Sequence, residues 1–123
     1  MVTIPSFLLR RLYVQGSLLN ADQGVQFQLL NKMGTGYARR LLPLDLDGQE
    51  VPITSCAFQV DGKEYPFSDV SASAPFALDL NKATVVTIAG VTLTKEPHTI
   101  GMGFEVPGLG VLKFDFTDVP SDG

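Results

Sequence analysis

Apolar and polar positions alternate along most of this chain. "VQFQL" sets Val25, Phe27 and Leu29 against Gln26 and Gln28, and "LKFDF" sets Leu112, Phe114 and Phe116 against Lys113 and Asp115. "MGFEV" does the same with Met102, Phe104 and Val106 against Gly103 and Glu105. A period of two sends one set of side chains to a core face and the other to water, so these runs predict half-buried β-strands. "LYVQGSL" (Leu12, Val14, Leu18) and "TVVTIAGVTL" over 84–93 read as further strands, the latter rich in β-branched residues. Helix is scarce, with one turn predicted near "IPSFLLRR" and another at "PFSDVSA".

Turn signals separate these runs at short intervals: "ADQG", "KMGTG", "SASAP", "PGLG" and two Asp-Gly pairs. Short strands so punctuated predict an all-β fold, an antiparallel β-sandwich built from short strands and hairpins, with residues 1–123 as one domain. One phrase occurs twice, "LDLDGQEVP" at Leu44–Pro52 and "FQVDGKEYP" at Phe58–Pro66. Asp-Gly is the favoured centre of a type I′ turn, where both residues take positive φ and the turn matches strand twist. Leu44 and Leu46, with Val51 returning, then share a side in the first copy, as do Phe58, Val60 and Tyr65 in the second. Each Pro ends the second arm. The other reading of the phrase is a metal site, but each copy supplies two carboxylates, fewer than a calcium loop needs. The phrase is most simply two successive tight hairpins.

Composition narrows the functional classes. The chain has 45% hydrophobic and 18% charged residues, as globular proteins do. Its single cysteine, Cys56, cannot form an internal disulfide, which fits a reducing compartment. The arginines of "MVTIPSFLLRRLYV" follow the apolar run instead of preceding it, unlike a signal peptide, and no stretch reaches the length of a membrane span. The expectation is a soluble, cytoplasmic protein with no membrane partner. Residues 1–45 carry five basic groups against two acids, net +3, and residues 46–123 four lysines against eleven acids, net −7. Two arginine doublets in an acidic chain fall short of a basic stripe, so no nucleic-acid partner is expected.

Candidate chemistry is sparse. His98 is the only histidine, so histidine-rich zinc sites are excluded; it reads either as a strand-end surface residue or as a general base beside a carboxylate. Cys56 reads as a buried small hydrophobe in "CAFQV" before a nucleophile. "GTG" at 34–36 lacks the spacing of a phosphate loop. "GYARR" puts Tyr37 beside Arg39 and Arg40, and "FLLRRLYV" puts Arg10 and Arg11 between Phe7 and Tyr13. Tyrosine with arginine is an interface combination that also recognises carboxylates, although solvated strand ends account for the same residues. The residues alone give no catalytic constellation.

Several segments together resemble the small β subunit of bacterial C-glycoside deglycosidases: "GSLLN", "GVQFQLLN", "GYARRLLPLDLDGQEVP", "FQVDGKEY", "LTKEPHTIGMGFEV" and "FDFTD". The resemblance implies a β-sandwich that binds a larger barrel-type α subunit. That subunit would hold a divalent metal and the acid/base residues, and the complex would cleave the C–C bond of 3-oxo-C-glycosides. It also implies that this chain is non-catalytic and holds no cofactor of its own. Tyr37, Arg39 and Arg40 would form the partner or substrate edge, with His98 as a second contact and Arg10 and Arg11 as further candidates. Two other readings compete. One is a stand-alone or homo-oligomeric β-sandwich binding or structural module, although the chain has no Trp and three Tyr for stacking on sugars. The other is a self-sufficient enzyme, which requires His98 to work with Asp115, Glu96 or Glu105.

Overall fold

A computed structural model of the chain describes residues 4–122. After a four-residue helix α1 (Ser6–Leu9) and a 3-10 turn (Arg10–Leu12), thirteen strands follow in order. The first six are β1 (Leu19–Ala21), β2 (Gly24–Leu30), β3 (Gly36–Ala38), β4 (Arg40–Leu41), β5 (Asp45–Leu46) and β6 (Gln49–Glu50). The remaining seven are β7 (Cys56–Val60), β8 (Lys63–Pro66), β9 (Phe76–Leu78), β10 (Ala83–Ala89), β11 (His98–Val106), β12 (Gly110–Asp118) and β13 (Ser121–Asp122). One sheet runs β13-β1-β2-β10-β7-β8; a second runs β12-β11-β5-β6, with β4 also on β11; β3 and β9 make a two-stranded ribbon. The strand pairs are antiparallel apart from β1–β13.

The alternating runs do what their period requires. Val25, Phe27 and Leu29 of β2 face Leu112, Phe114 and Phe116 of β12 in one core. Phe27 and Phe116 meet edge to face at 5.0 Å between the two sheets. Burying each such side chain contributes about 1.5–3 kcal/mol. The all-β sandwich is the fold.

Both copies of the doubled phrase are type I′-like hairpins: φ is +52° and +87° at Asp47 and Gly48, and +54° and +78° at Asp61 and Gly62. Leu46 pairs with Gln49 in the first, Val60 with Lys63 in the second. The two hairpins belong to different sheets, the first to the β11–β12 sheet and the second to the β2–β10 sheet.

Three segments depart from the expected pattern. "LYVQGSL" is not a strand: Arg10–Leu12 is a 3-10 turn, Tyr13 makes one bridge to Leu29, and the chain turns at Gly16, where φ is +85°. Leu9 and Leu12, three apart on this short helical segment, are buried and take the place of a strand's apolar face. The strand expected over 84–93 stops at Ala89; Leu93 instead bonds through both its N–H and its carbonyl to the Asn20 side-chain amide, each at 2.9 Å. In β11 the polar-side Gly103 is buried as well, because Leu42 lies over it.

Candidate functional site

His98 opens β11, and its ring is held on both sides. Nδ1 lies 2.7 Å from Asp47 Oδ2, and Nε2 lies 3.0 Å from the Thr94 carbonyl and 3.1 Å from its hydroxyl. The hydrogen bond to Asp47 raises the imidazole pKa above the usual histidine value, against the opposing effect of burial. The same bond, with the Thr99 N–H donating to Asp47, holds that carboxyl below its usual range. With both nitrogens engaged, the ring offers no free nitrogen to a substrate. Of the carboxylates weighed as its partners, Asp115 bonds to Arg10 and Glu105 to Arg39 and Arg40, Glu96 acts on the ring only through its charge, and the hydrogen-bonded partner is Asp47 at a hairpin tip. The ring's partners in this structure are thus Asp47 and Thr94.

The arginines are also engaged. Arg39 and Arg40 both pair with Glu105, Arg40 at 3.1 Å. Arg10 donates to the Asp115 carbonyl at 2.6 Å and to its carboxylate at 3.1 Å. Arg11 is exposed. Glu105 and His98 stand seven residues apart on β11, about 23 Å at the rise of a strand, so the structure does not bring His98 to Arg39 and Arg40. Tyr37 is exposed on the β3–β9 ribbon. Tyr13, grouped by sequence with Arg10 and Arg11 on an exposed edge, is buried against Phe116, its ring stacked at 3.6 Å. Cys56 is buried, and that burial pushes its thiol up, away from the reactive thiolate. No cluster of His, Cys, Asp and Glu disposed to hold a metal occurs among the described residues.

What sequence reading missed is a cleft. The open end of the sandwich, where β2 ends and β3 and β9 fold across, holds an apolar space of about 400 Å³. Phe76, Leu78, Phe104 and Leu112 line its depth, and Met33 and Tyr37 stand at its mouth, about half exposed. Leu80, equally exposed, donates its N–H to Thr35 of the same rim. The one buried polar side chain there, Asn31, is fully used: its amide donates to the carbonyls of Gly34 and Leu78, and its oxygen accepts from the N–H groups of Met33 and Gly34. The cleft is thus mainly apolar, with the Thr35 and Tyr37 hydroxyls as the polar side-chain groups at its rim. The alternation could not reveal it, because it arises between elements distant in sequence. A second depression, of about 640 Å³, lies on the outer face of the β11–β12 sheet over Gly101 and Gly103, rimmed by Asp45, Glu50, Lys113 and Asp115.

Among curated proteins no match was found. Residues 8–121, nearly the whole chain, match the family described as hydroxymethylglutaryl-CoA reductase, N-terminal domain. This overturns the resemblance to C-glycoside deglycosidase β subunits and the function drawn from it: the quoted segments are short hairpin and strand phrases that sandwich architecture produces by itself, whereas the match runs the length of the fold. The barrel-type α subunit, its divalent metal and the C-glycoside substrate rested on that resemblance and lose their support with it. The chain belongs to the hydroxymethylglutaryl-CoA reductase N-terminal domain family.

Proposed function

We infer that this chain is a non-catalytic docking module that works with the catalytic part of a hydroxymethylglutaryl-CoA reductase. It contributes a surface and leaves the chemistry and any cofactor to its partner. The observation that carries this reading is the contrast between engaged chemistry and an unengaged apolar end. His98, Arg10, Arg39, Arg40 and Tyr13 all make internal hydrogen bonds or ion pairs, while Met33 and Tyr37 stand about half exposed at the mouth of an apolar cleft. Exposed aromatic and Met side chains around a concave apolar centre are the composition of an interface core. No helix among the described residues is long and apolar enough to cross a membrane. We assign the protein to the cytoplasm, where a lone buried Cys is kept reduced.

The test is a binding measurement between the purified chain and a reductase catalytic region, by sedimentation or light scattering, with the Met33→Ser/Tyr37→Ser variant as comparison. The expected result is a complex that the variant weakens at least about tenfold, the loss of a single interface anchor, with the circular dichroism unchanged. Reduction of hydroxymethylglutaryl-CoA by the chain alone with a nicotinamide cofactor, or binding indifferent to the double variant, overturns the reading.

A further inference from the structure

The doubled phrase uses its two Asp residues differently, and the difference centres on His98. Asp61, at the tip of the second hairpin, pairs with Lys82 at 2.6 Å on an exposed surface. Asp47, at the tip of the first, is tied to the start of β11 by three bonds. Its N–H donates to the Thr99 carbonyl at 2.8 Å, its Oδ1 accepts the Thr99 N–H at 2.8 Å, and its Oδ2 meets His98 Nδ1. From the other side, His98 Nε2 reaches Thr94, inside the strandless connection between Ala89 and His98 that carries the chain from the β10 sheet to the β11 sheet.

A carbonyl oxygen and an ionised carboxylate can only accept hydrogen bonds. A ring placed between the two satisfies both only when both nitrogens carry protons. A neutral ring keeps the Nδ1–H bond to Asp47 but turns an Nε2 lone pair toward the Thr94 carbonyl. The Thr94 hydroxyl, 3.1 Å away, can donate to that lone pair where it stands, so the neutral ring trades a charge-assisted bond to the carbonyl for a weaker neutral one. We propose that His98 is a proton-dependent clasp: its charged ring ties the tip of the β5–β6 hairpin to the connection between the two sheets, and loss of the proton loosens that connection.

The surrounding charges favour the closed state. Asp47 faces the ring from the hairpin, and Glu96 lies close enough in the connection to favour its charge. Asp118, its register partner on β12, is occupied by the Tyr13 hydroxyl and the N–H groups of Gly16 and Val119. Lys95, beside it in the connection, pairs with Asp122 at 3.1 Å. The connection is otherwise held at its first half, by the Gly90 bond to Gln23, the burial of Leu93 in the core and the Asn20–Leu93 bonds, while Lys95–Asp122 is an exposed pair. A raised histidine pKa contributes stability that is complete below the unfolded value and lost as pH rises through the folded one. The clasp therefore opens on the alkaline side of its titration.

The chain has a single histidine, so its ring signals in solution NMR are unambiguous. The experiment follows the ring nitrogens, and the hydrogen exchange of the Leu93 amide in the connection, from about pH 5 to about pH 9, a range that spans histidine titration. Both nitrogens should hold their protons to higher pH than an ordinary histidine does. Amide exchange, corrected for base catalysis, should rise about tenfold as the ring titrates, while the central β2 amides should not respond. Tenfold corresponds to about 1.4 kcal/mol of lost local protection. Asp47→Asn keeps a residue that tolerates positive φ and should move the titration and the exchange step together to lower pH. Thr94→Val removes the fallback donor and should enlarge the step. A ring that titrates at or below the ordinary histidine value, or protection that stays flat across the titration, overturns the proposal. The unmodified protein alone suffices for both observations if a variant fails to fold.

Discussion

The Tyr13 hydroxyl donates to Asp118 at 2.6 Å, and the same oxygen accepts the Leu18 N–H at 3.2 Å. Burial, with Asp118 alongside, pushes the phenol up to about 12. Asp118 itself is raised by burial but held below its usual range on balance, by donors from Tyr13, Gly16 and Val119. One side chain thus fixes the Gly16 turn, the start of the first sheet and the end of β12. Tyr13→Phe should keep the Phe116 stack and lose the hydroxyl, costing about 1–3 kcal/mol for the polar groups left without a partner, measured by urea unfolding. Two crowded glycines differ in what surrounds them. A Cβ at Gly24 would lie 2.0 Å from the Ile88 carbonyl oxygen, a backbone atom that cannot move aside. A Cβ at Gly103 would meet Leu42 Cδ1 at 2.8 Å, the end of a flexible side chain. Gly24→Ala should therefore cost about 3 kcal/mol or more, and Gly103→Ala about 1 kcal/mol, with Leu42→Ala recovering part of the latter. Equal losses from the two, or no recovery, would refute this packing account.

At the scale of elements, the two hairpins offer an internal comparison. Both need a residue that tolerates positive φ at the Asp position, so replacing either Asp by Ala carries a backbone cost of about 1–2 kcal/mol. Asp47→Ala also removes the bonds to Thr99 and His98, whereas Asp61→Ala removes an exposed pair with Lys82. An exposed pair contributes roughly 0–1 kcal/mol. The first substitution should be the more destabilising by about 1–2 kcal/mol, and thermal unfolding of the two variants side by side would measure it. Similar losses would mean that the β5–β6 tip is not docked on β11.

For the molecule as a whole, stability should depend on pH in a bounded window. Asp47 and Asp118, depressed in the folded state, contribute above the ordinary carboxylate range and lose that contribution as pH falls through their lowered values. His98, raised, contributes below its ordinary value and loses that contribution as pH rises through its folded value. Stability should be greatest between these limits and decline on both sides. Asp47→Asn should flatten both shoulders, since it removes the carboxylate and the partner that raises the histidine. Chemical denaturation across pH would read this directly, and an unchanged alkaline shoulder in the variant would count against the pairing.

The sequence by itself determined the long strands β2, β11 and β12, the buried set on β2 and β12, and the two Asp-Gly turns, because period-two alternation and positive-φ turn chemistry are local properties of the chain. It also carried Cys56 to the core, where a small apolar side chain belongs. The short phrases shared with another family misled, because hairpins in unrelated sandwiches write the same residues. Only the tertiary structure decided which charges would be satisfied. Arg39 and Arg40 meet Glu105 across sixty-odd positions of chain, Arg10 meets Asp115 and His98 meets Asp47, and nothing in local spacing encodes those encounters. The apolar cleft belongs with them: it is the space left where β2, the β3–β9 ribbon and the β11–β12 turn fail to close, a property of how layers pack and of no single segment.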